Sequence, residues 1–376
     1  MELLQNVEKI VANSDGQELN SFNLGIQEAN TVVIFGAGSY GEGVAKSLKL
    51  MGKNVLYFVD NNPKKWGNKL SDITIISPES LLNIKEKDVL IVICSTWHNE
   101  IENQLKILGL HNYSNLDFDF QSYYKASGQA ILFKQYLDEN INAFEKVYHL
   151  LSDDDSRMLF EHLLAYRISG NISCLRKSMY PQYFHPKVSP EASDQIIDGG
   201  AYIGDTVTIF NEFLKMDCMI HSFEPSKSNF SKLNDFIQEQ HLTNVITVQA
   251  GLGRENVELF INSIENTVDP SYSISSEGNE KINVISIDEY VRRNELKNIS
   301  LIKLDIEGYE LDALKGAYET IKALRPRLQI CLYHKQEDLI DIPIYIHDVF
   351  FDLGYKLYVG HHTDSYLETV LYAVAD

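Results

Sequence analysis

Four short stretches in the second half of the chain carry acidic or glycine residues straight after apolar runs. They are Ile196-Ile197-Asp198-Gly199-Gly200-Ala201-Tyr202-Ile203-Gly204-Asp205-Thr206, His221-Ser222-Phe223-Glu224-Pro225, Gln249-Ala250-Gly251-Leu252-Gly253 and Leu301-Ile302-Lys303-Leu304-Asp305-Ile306-Glu307-Gly308-Tyr309-Glu310. Short apolar runs bounded by turn residues read as buried strands, and open α/β sheets bind ligands beyond the C-terminal ends of their strands. In the first stretch the acid precedes the glycines. A dinucleotide needs bare amides there, whereas S-adenosylmethionine (SAM), with an ammonium, a sulfonium and no phosphate, needs a carboxylate. Asp198 meets that need, Gly199 and Gly200 permit close backbone approach, Ala201 and Gly204 continue the loop, and Thr206 opens a helix whose hydroxyl and amides suit the ligand's own carboxylate. Glu224, followed by Pro225, is placed for two ribose hydroxyls, and Ala250 and Gly251 border the adenine.

The fourth stretch lies beside the expected reaction centre. SAM is an activated methyl donor that reacts by in-line displacement, so a protein holding it here would be expected to align an acceptor and remove its proton. Asp305 is the first choice of base, Glu307 shares acceptor binding, and His334 is the next base because imidazole titrates near neutrality. Glu310 reads as the first-turn acid of the following helix, and Lys303 as the partner of a nearby carboxylate. His361 and His362 are expected in an exposed hairpin loop. Asp305, Glu307 and His334 also form a donor set that magnesium accepts, but one carboxylate pair is thin ground, so no metal is assigned.

A second glycine loop lies earlier in the chain. Gly36-Ala37-Gly38-Ser39-Tyr40-Gly41 follows the apolar run Thr31–Phe35, and Asp60 stands 19 residues beyond Gly41 at the end of the next run. In this pattern Gly36 makes the turn, Gly38 admits a pyrophosphate, Gly41 lets helix and strand pack, and Asp60 reaches a ribose hydroxyl. The pattern allows a nucleotide or nucleotide sugar, and equally a structural or assembly domain. No Tyr-x-x-x-Lys pair accompanies it.

These sites need a strand–loop–helix frame twice over. The fold expected is α/β with two Rossmann-like units. The first covers residues 1–120 and a helical connector covers 121–185. The second covers 186–376 and contains a seven-stranded sheet closed by an antiparallel hairpin around Gly360–Glu368. Strands are expected near 195–197, 219–223, 245–249, 257–261, 301–304, 328–332, 355–359 and 369–373. The connector's aromatics, among them Tyr180, Tyr183 and Phe184, read as core.

Composition bounds the partners. With 44% apolar and 23% charged residues the chain can bury a core, and 33 basic against 53 acidic residues leave a formal charge of −20. Such a surface repels nucleic acid and anionic lipid. No run approaches the length of a membrane span, and no secretory signal is visible at the N-terminus. Four cysteines without CxxC spacing suit the cytoplasm. The sequence admits a homodimer.

From Asp194 to Asp376 the motifs together resemble the FkbM family of SAM-dependent methyltransferases. The resemblance rests on the Asp198–Thr206 loop, Phe223-Glu224-Pro225, Lys303 to Glu310, Tyr333-His334-Lys335 and the closing Asp364-Ser365-Tyr366-Leu367-Glu368-Thr369. It implies O-methylation of a hydroxyl on a sugar or glycoconjugate, a small-molecule or glycan acceptor. The first unit resembles the small Rossmann-like domains of sugar-modifying enzymes. Two other readings stay open: a non-catalytic nucleotide-sugar-binding or scaffold protein, against which intact Asp198, Glu224 and Asp305 speak, and an NAD-dependent sugar oxidoreductase using the first loop.

Overall fold

Alternation of buried side chains sets the first sheet. In β1 (Thr31–Phe35), Val32 and Ile34 join one core with Val44 and Leu48 of the helix Ser39–Leu50. Val33 and Phe35 join a second core with Ile101 and Leu105 of the helix His98–Ile107. A strand that is apolar on both faces belongs inside a parallel sheet covered by helices. The computed structural model describes residues 2–14, 28–85, 88–95, 97–115, 128–261, 274–275, 278 and 280–376.

The chain divides into two units. One comprises Leu4–Ile141 with His162–Leu175; the other is chiefly Asn142–Glu161 with Arg176–Asp376. The residues read as a connector are therefore apportioned to both. In the first unit β2 (Asn54–Val59), β3 (Lys69–Leu70), β4 (Ile73–Ile76), β5 (Leu90–Ile93) and β6 (Tyr113–Asn115) complete a six-stranded sheet in the order β3-β4-β2-β1-β5-β6. All its pairings are parallel except β3 with β4.

In the second unit the strands are β7 (Asp194–Gly199), β8 (Cys218–Phe223), β9 (Val245–Val248), β10 (Gly251–Leu252), β11 (Val257–Ile261), β12 (Ile274–Ser275), β13 (Glu280–Ile285), β14 (Leu301–Leu304), β15 (Arg327–Cys331), β16 (Lys356–His361) and β17 (Thr369–Val374). The main sheet has seven of these in the order β16-β17-β15-β14-β7-β8-β9. β17 runs antiparallel between β15 and β16, which is the expected closing hairpin. From β7 the chain first builds outward through β8 and β9, then returns to add β14 on the other side. The β7/β14 boundary is therefore a topological switch point, where helices leave to opposite faces and a crevice opens.

The run Val257–Ile261, expected as a strand, forms β11 and pairs antiparallel with β13 in a separate four-stranded sheet, β10-β13-β11-β12. Its partner β13 alternates exposed Lys281 and Asn283 with buried Ile282 and Val284, which suits a sheet with one face uncovered. A helix absent from the sequence reading, Asp338–Val349, follows β15, with Pro343 inside it.

The segment ahead of β7 is pinned to the sheet by one buried amide. Gln329 of β15 has no exposed surface and donates to the carbonyls of Tyr183 at 2.7 Å and Val188 at 2.6 Å. The N–H of Tyr183 donates to the Tyr372 hydroxyl at 3.0 Å. These bonds hold Tyr183 at φ +68°, a left-handed conformation uncommon for an aromatic residue. Replacing Gln329 by Leu strips both carbonyls of their donor and should lower unfolding free energy by about 1–3 kcal/mol. Chemical denaturation measures this, and an unchanged midpoint would contradict the assignment.

Candidate functional site

The crevice at the β7/β14 switch point is a cavity whose wall includes Gly200, Glu224, Pro225, Ala250, Gly251 and Asp305. The turn after β7 is set by contact. Gly200 has φ +75°, and a Cβ on it would lie 1.8 Å from the Asp305 carbonyl oxygen. Beyond the turn, Gly204 (φ +103°) leads into the helix Asp205–Leu214. Thr206 is buried in that helix and Ala201 is buried beside the turn.

Asp198 is not where the sequence suggested. Its carboxylate has no exposed surface and lies 3.1 Å from the Nζ of Lys303, itself 1% exposed. A carboxylate buried in a parallel sheet needs a counter-charge, and β14 supplies it. The pairing of Lys303 with a nearby carboxylate is as expected. The acid of this loop that faces the cavity is Asp205, and Tyr202 lines the same wall; neither was singled out from sequence. Glu224 is 1% exposed and anchored through both oxygens, accepting from Tyr202 N at 3.1 Å and Ser226 N at 2.9 Å.

Asp305 sits just past β14. Its Oδ2 accepts from the Tyr183 hydroxyl at 3.0 Å and its Oδ1 from the Tyr333 hydroxyl at 2.7 Å. Burial opposes its charge, but Lys303, His334 and the two hydroxyls outweigh burial and hold the carboxyl below the usual carboxylate range. Tyr183, read as core, is indeed buried, but its hydroxyl reaches the site. That role had no signal in sequence, because the contact spans 122 positions.

His334 joins three carboxylates. Its Nδ1 lies 2.8 Å from Glu310 Oε1, and its Nε2 lies 3.4 Å from Asp305 Oδ1 and 3.6 Å from Glu307 Oε2. Burial works against protonation, but Glu310 first, then Asp305 and Glu307, raise its pKa to about 9. Glu310 opens the helix Glu310–Lys315 as expected, and it is also fully buried, accepting from Ile306 N at 2.8 Å. Glu307 is the open member of the group, with its side chain 36% exposed, φ +57° and a place in the cavity wall. Asp305, Glu310 and His334 bring one donor atom each within 4.8 Å of the others, a spacing that a cation suits. The same carboxylates raise the pKa of the imidazole among them. His361 and His362 leave the exposed loop assigned to them. His361 ends β16 fully buried with Nδ1 2.9 Å from Thr369 Oγ1, and burial drives the pKa of His362 down to about 4.

In the first unit Gly36, Gly38 and Asp60 line a cleft with Lys65 and Trp97. Gly36 (φ +127°) and Gly41 have no room for a Cβ, which would fall 2.1 Å from the Cys94 oxygen and 2.0 Å from the Gly36 oxygen respectively. A Cβ on Gly38 would meet nothing within 4 Å. Asp60 does not stand free for a ribose: its Oδ2 accepts from Ala37 N at 3.1 Å and from Lys65 Nζ at 2.8 Å, and its Oδ1 from Asn62 N at 2.8 Å.

Residues 198–357 match the family described as Methyltransferase FkbM domain, so the resemblance read from the motifs is shown over that span. Residues 28–115 match the family described as C2185-like, N-terminal. The hexuronic acid methyltransferase AglP of Haloferax volcanii is 27% identical over 134 residues, 36% of this chain and 54% of its own. Methyltransferase 1 of Beauveria bassiana is 26% identical over 153 residues, 34% of this chain and 61% of its own. The matches thus span about half to three-fifths of the length of these curated relatives. The crystal structure of methyltransferase FkbM from Methylobacillus flagellatus has a TM-score of 0.64 at 20% identity, over 99% of this chain and 98% of that one, and so shares its fold.

The raised pKa of His334 links the site to stability. A group whose folded pKa of about 9 exceeds the ordinary 6.5 stabilises the fold fully below pH 6.5, and that contribution is lost as pH rises through 9. The shift corresponds to a loss on the order of 3 kcal/mol. Unfolding free energies at pH 6 and pH 10 should therefore differ more in wild type than in His334→Gln, and equal differences would rule the linkage out.

Proposed function

We propose that the cavity at the β7/β14 switch point binds SAM and that the protein transfers its methyl group to a hydroxyl of a sugar or glycoconjugate. The observation that carries this reading is the convergence of the tight Gly200 turn, the anchored Glu224 carboxylate and the Asp305–Glu307 pair on one cavity. The curated relative named a hexuronic acid methyltransferase supports a carbohydrate acceptor. In this reading Glu224 accepts from the ribose hydroxyls, and Ala250 and Gly251 flank the adenine. Asp205 takes the place first given to Asp198 near the ligand's charged end.

The sequence points to Asp305, and next to His334, as the proton acceptor. Asp305 already accepts two hydroxyls and has a lowered pKa, and His334 carries its own proton at neutral pH, so both are weak bases there. We assign that role to Glu307, the carboxylate open to the cavity, with Asp305 as the fixed anion beside the sulfonium. Among the described residues no helix is long and apolar enough to cross a membrane. The four cysteines are free and buried, which agrees with a reducing, cytoplasmic setting.

Calorimetric titration with SAM tests the assignment. Glu224→Ala should weaken binding by about ten- to a hundred-fold, equivalent to roughly 1.5–3 kcal/mol for lost charge-assisted hydrogen bonds. Absence of SAM binding by the intact protein would end it.

For the first unit, the open space at Gly38 favours a ligand bearing a diphosphate, such as a nucleotide or nucleotide sugar, with Lys65 as its nearby cation. Gly38→Val fits the protein and should abolish thermal stabilisation by such ligands while leaving SAM affinity intact. A panel of nucleotides, nucleotide sugars and NAD that stabilised nothing in wild type would leave this unit a structural element.

A further inference from the structure

Lys303 is the third of four residues in β14 and the only charged one, in the interior of a parallel sheet. Such a position is otherwise occupied by apolar side chains, because an ammonium there needs every donor satisfied. This one has three partners: Asp198 Oδ1 at 3.1 Å, Gly199 O at 3.1 Å and Gly200 O at 3.0 Å. The ring of Tyr183 lies 5.6 Å from the same nitrogen.

The consequence falls on the turn after β7. The N–H groups of Gly200 and Ala201 both donate to the Phe223 carbonyl, at 3.1 Å and 3.0 Å. With its two carbonyls drawn to Lys303 as well, the turn offers the cavity no free polar backbone group at Gly200, only a bare Cα edge. A ribosyl or aminoacyl ligand can lie against that edge without meeting an unpaired carbonyl.

We propose that Lys303 is the positioning residue of the cofactor site, shaping the Gly199–Gly200 turn, and that Asp198 acts on the cofactor only through Lys303. This rests on the reading of the cavity as a SAM site. Asp198 is the near counter-charge that keeps Lys303 protonated inside the sheet. The other groups facing Lys303 are Asp205 after β7, Asp305 after β14, Cys331 of β15 and Glu368 before β17. Burial opposes the ammonium, but the carboxylates, Asp198 foremost, hold its pKa above the ordinary lysine value.

The test uses the full-length protein, SAM as the probe, calorimetry for affinity and thermal melting for integrity. Lys303→Met keeps the length of the side chain and removes its donors. A variant that still melts cooperatively should bind SAM about ten-fold or more weakly, as expected for lost bonds to a charged group. Asp198→Asn leaves the lysine with less opposing charge, so its SAM affinity should fall more steeply than that of wild type between about pH 7 and pH 10 as Lys303 loses its proton. A purely structural lysine would lower the melting temperature without changing either the affinity of the folded protein or the pH profile. Wild-type affinity in folded Lys303→Met overturns the proposal, as does Asp198→Asn weakening binding equally at every pH, which would make Asp198 a direct ligand contact. If Lys303→Met does not fold, the Asp198→Asn profile decides alone. Failure of wild type to bind SAM would instead refute the reading of the cavity itself.

Discussion

The second unit is organised around a buried ion pair, Lys303 with Asp198, bridging the two strands on either side of the switch point. Burying two charges is unfavourable unless geometry and further hydrogen bonds compensate. Here Lys303 also donates to the Gly199 and Gly200 carbonyls, so the pair holds the end of β7 against the end of β14. Asp305 N then donates to Gly199 O at 3.1 Å, and the Gly200 turn sits so close to Asp305 that only glycine fits. Wall and floor of the cavity are thus set by the same contacts.

A second electrostatic group builds outward from the first. Asp305 lies between Lys303 and His334, and two tyrosine hydroxyls occupy its oxygens. His334 in turn lies between Asp305, Glu307 and Glu310 and holds its proton to about pH 9. Anions and cations alternate through the site, which keeps each buried charge paired. Only Glu307 has substantial exposed surface, and its left-handed backbone turns it into the cavity. A strained conformation at a carboxylate beside a ligand cavity is the sort of outlier that functional sites retain.

The two glycine loops show how one residue type serves different ends. Gly36, Gly41 and Gly200 are glycine because a neighbouring backbone oxygen occupies the space of a Cβ. Gly38 has no protein neighbour there at all, and its openness faces a cleft. The acids near the loops differ as well. Asp60 is tied to Ala37 N and Lys65, and Asp198 to Lys303, so neither stands free to meet a ligand by itself.

The sequence by itself determined the α/β class, the strands β7, β8, β14 and β17, and the C-terminal strand ends at which Glu224 and Asp305 stand. Apolar runs followed by glycine and acid specify strand and turn through local sterics and burial, and those signals are written in adjacent residues. Partnership was decided only in three dimensions. Asp198 looks like a ligand carboxylate until β14 brings Lys303 beneath it. Glu310 looks like a helix cap until His334 arrives from beyond β15, and Tyr183 looks like core until its hydroxyl meets Asp305. The run Val257–Ile261 reads as a strand, but the sheet it joins was decided in three dimensions, because register and sheet membership depend on the surfaces left open by other strands. Electrostatics depends on distance through space, and distance through space between residues more than a hundred positions apart is fixed by the tertiary fold alone.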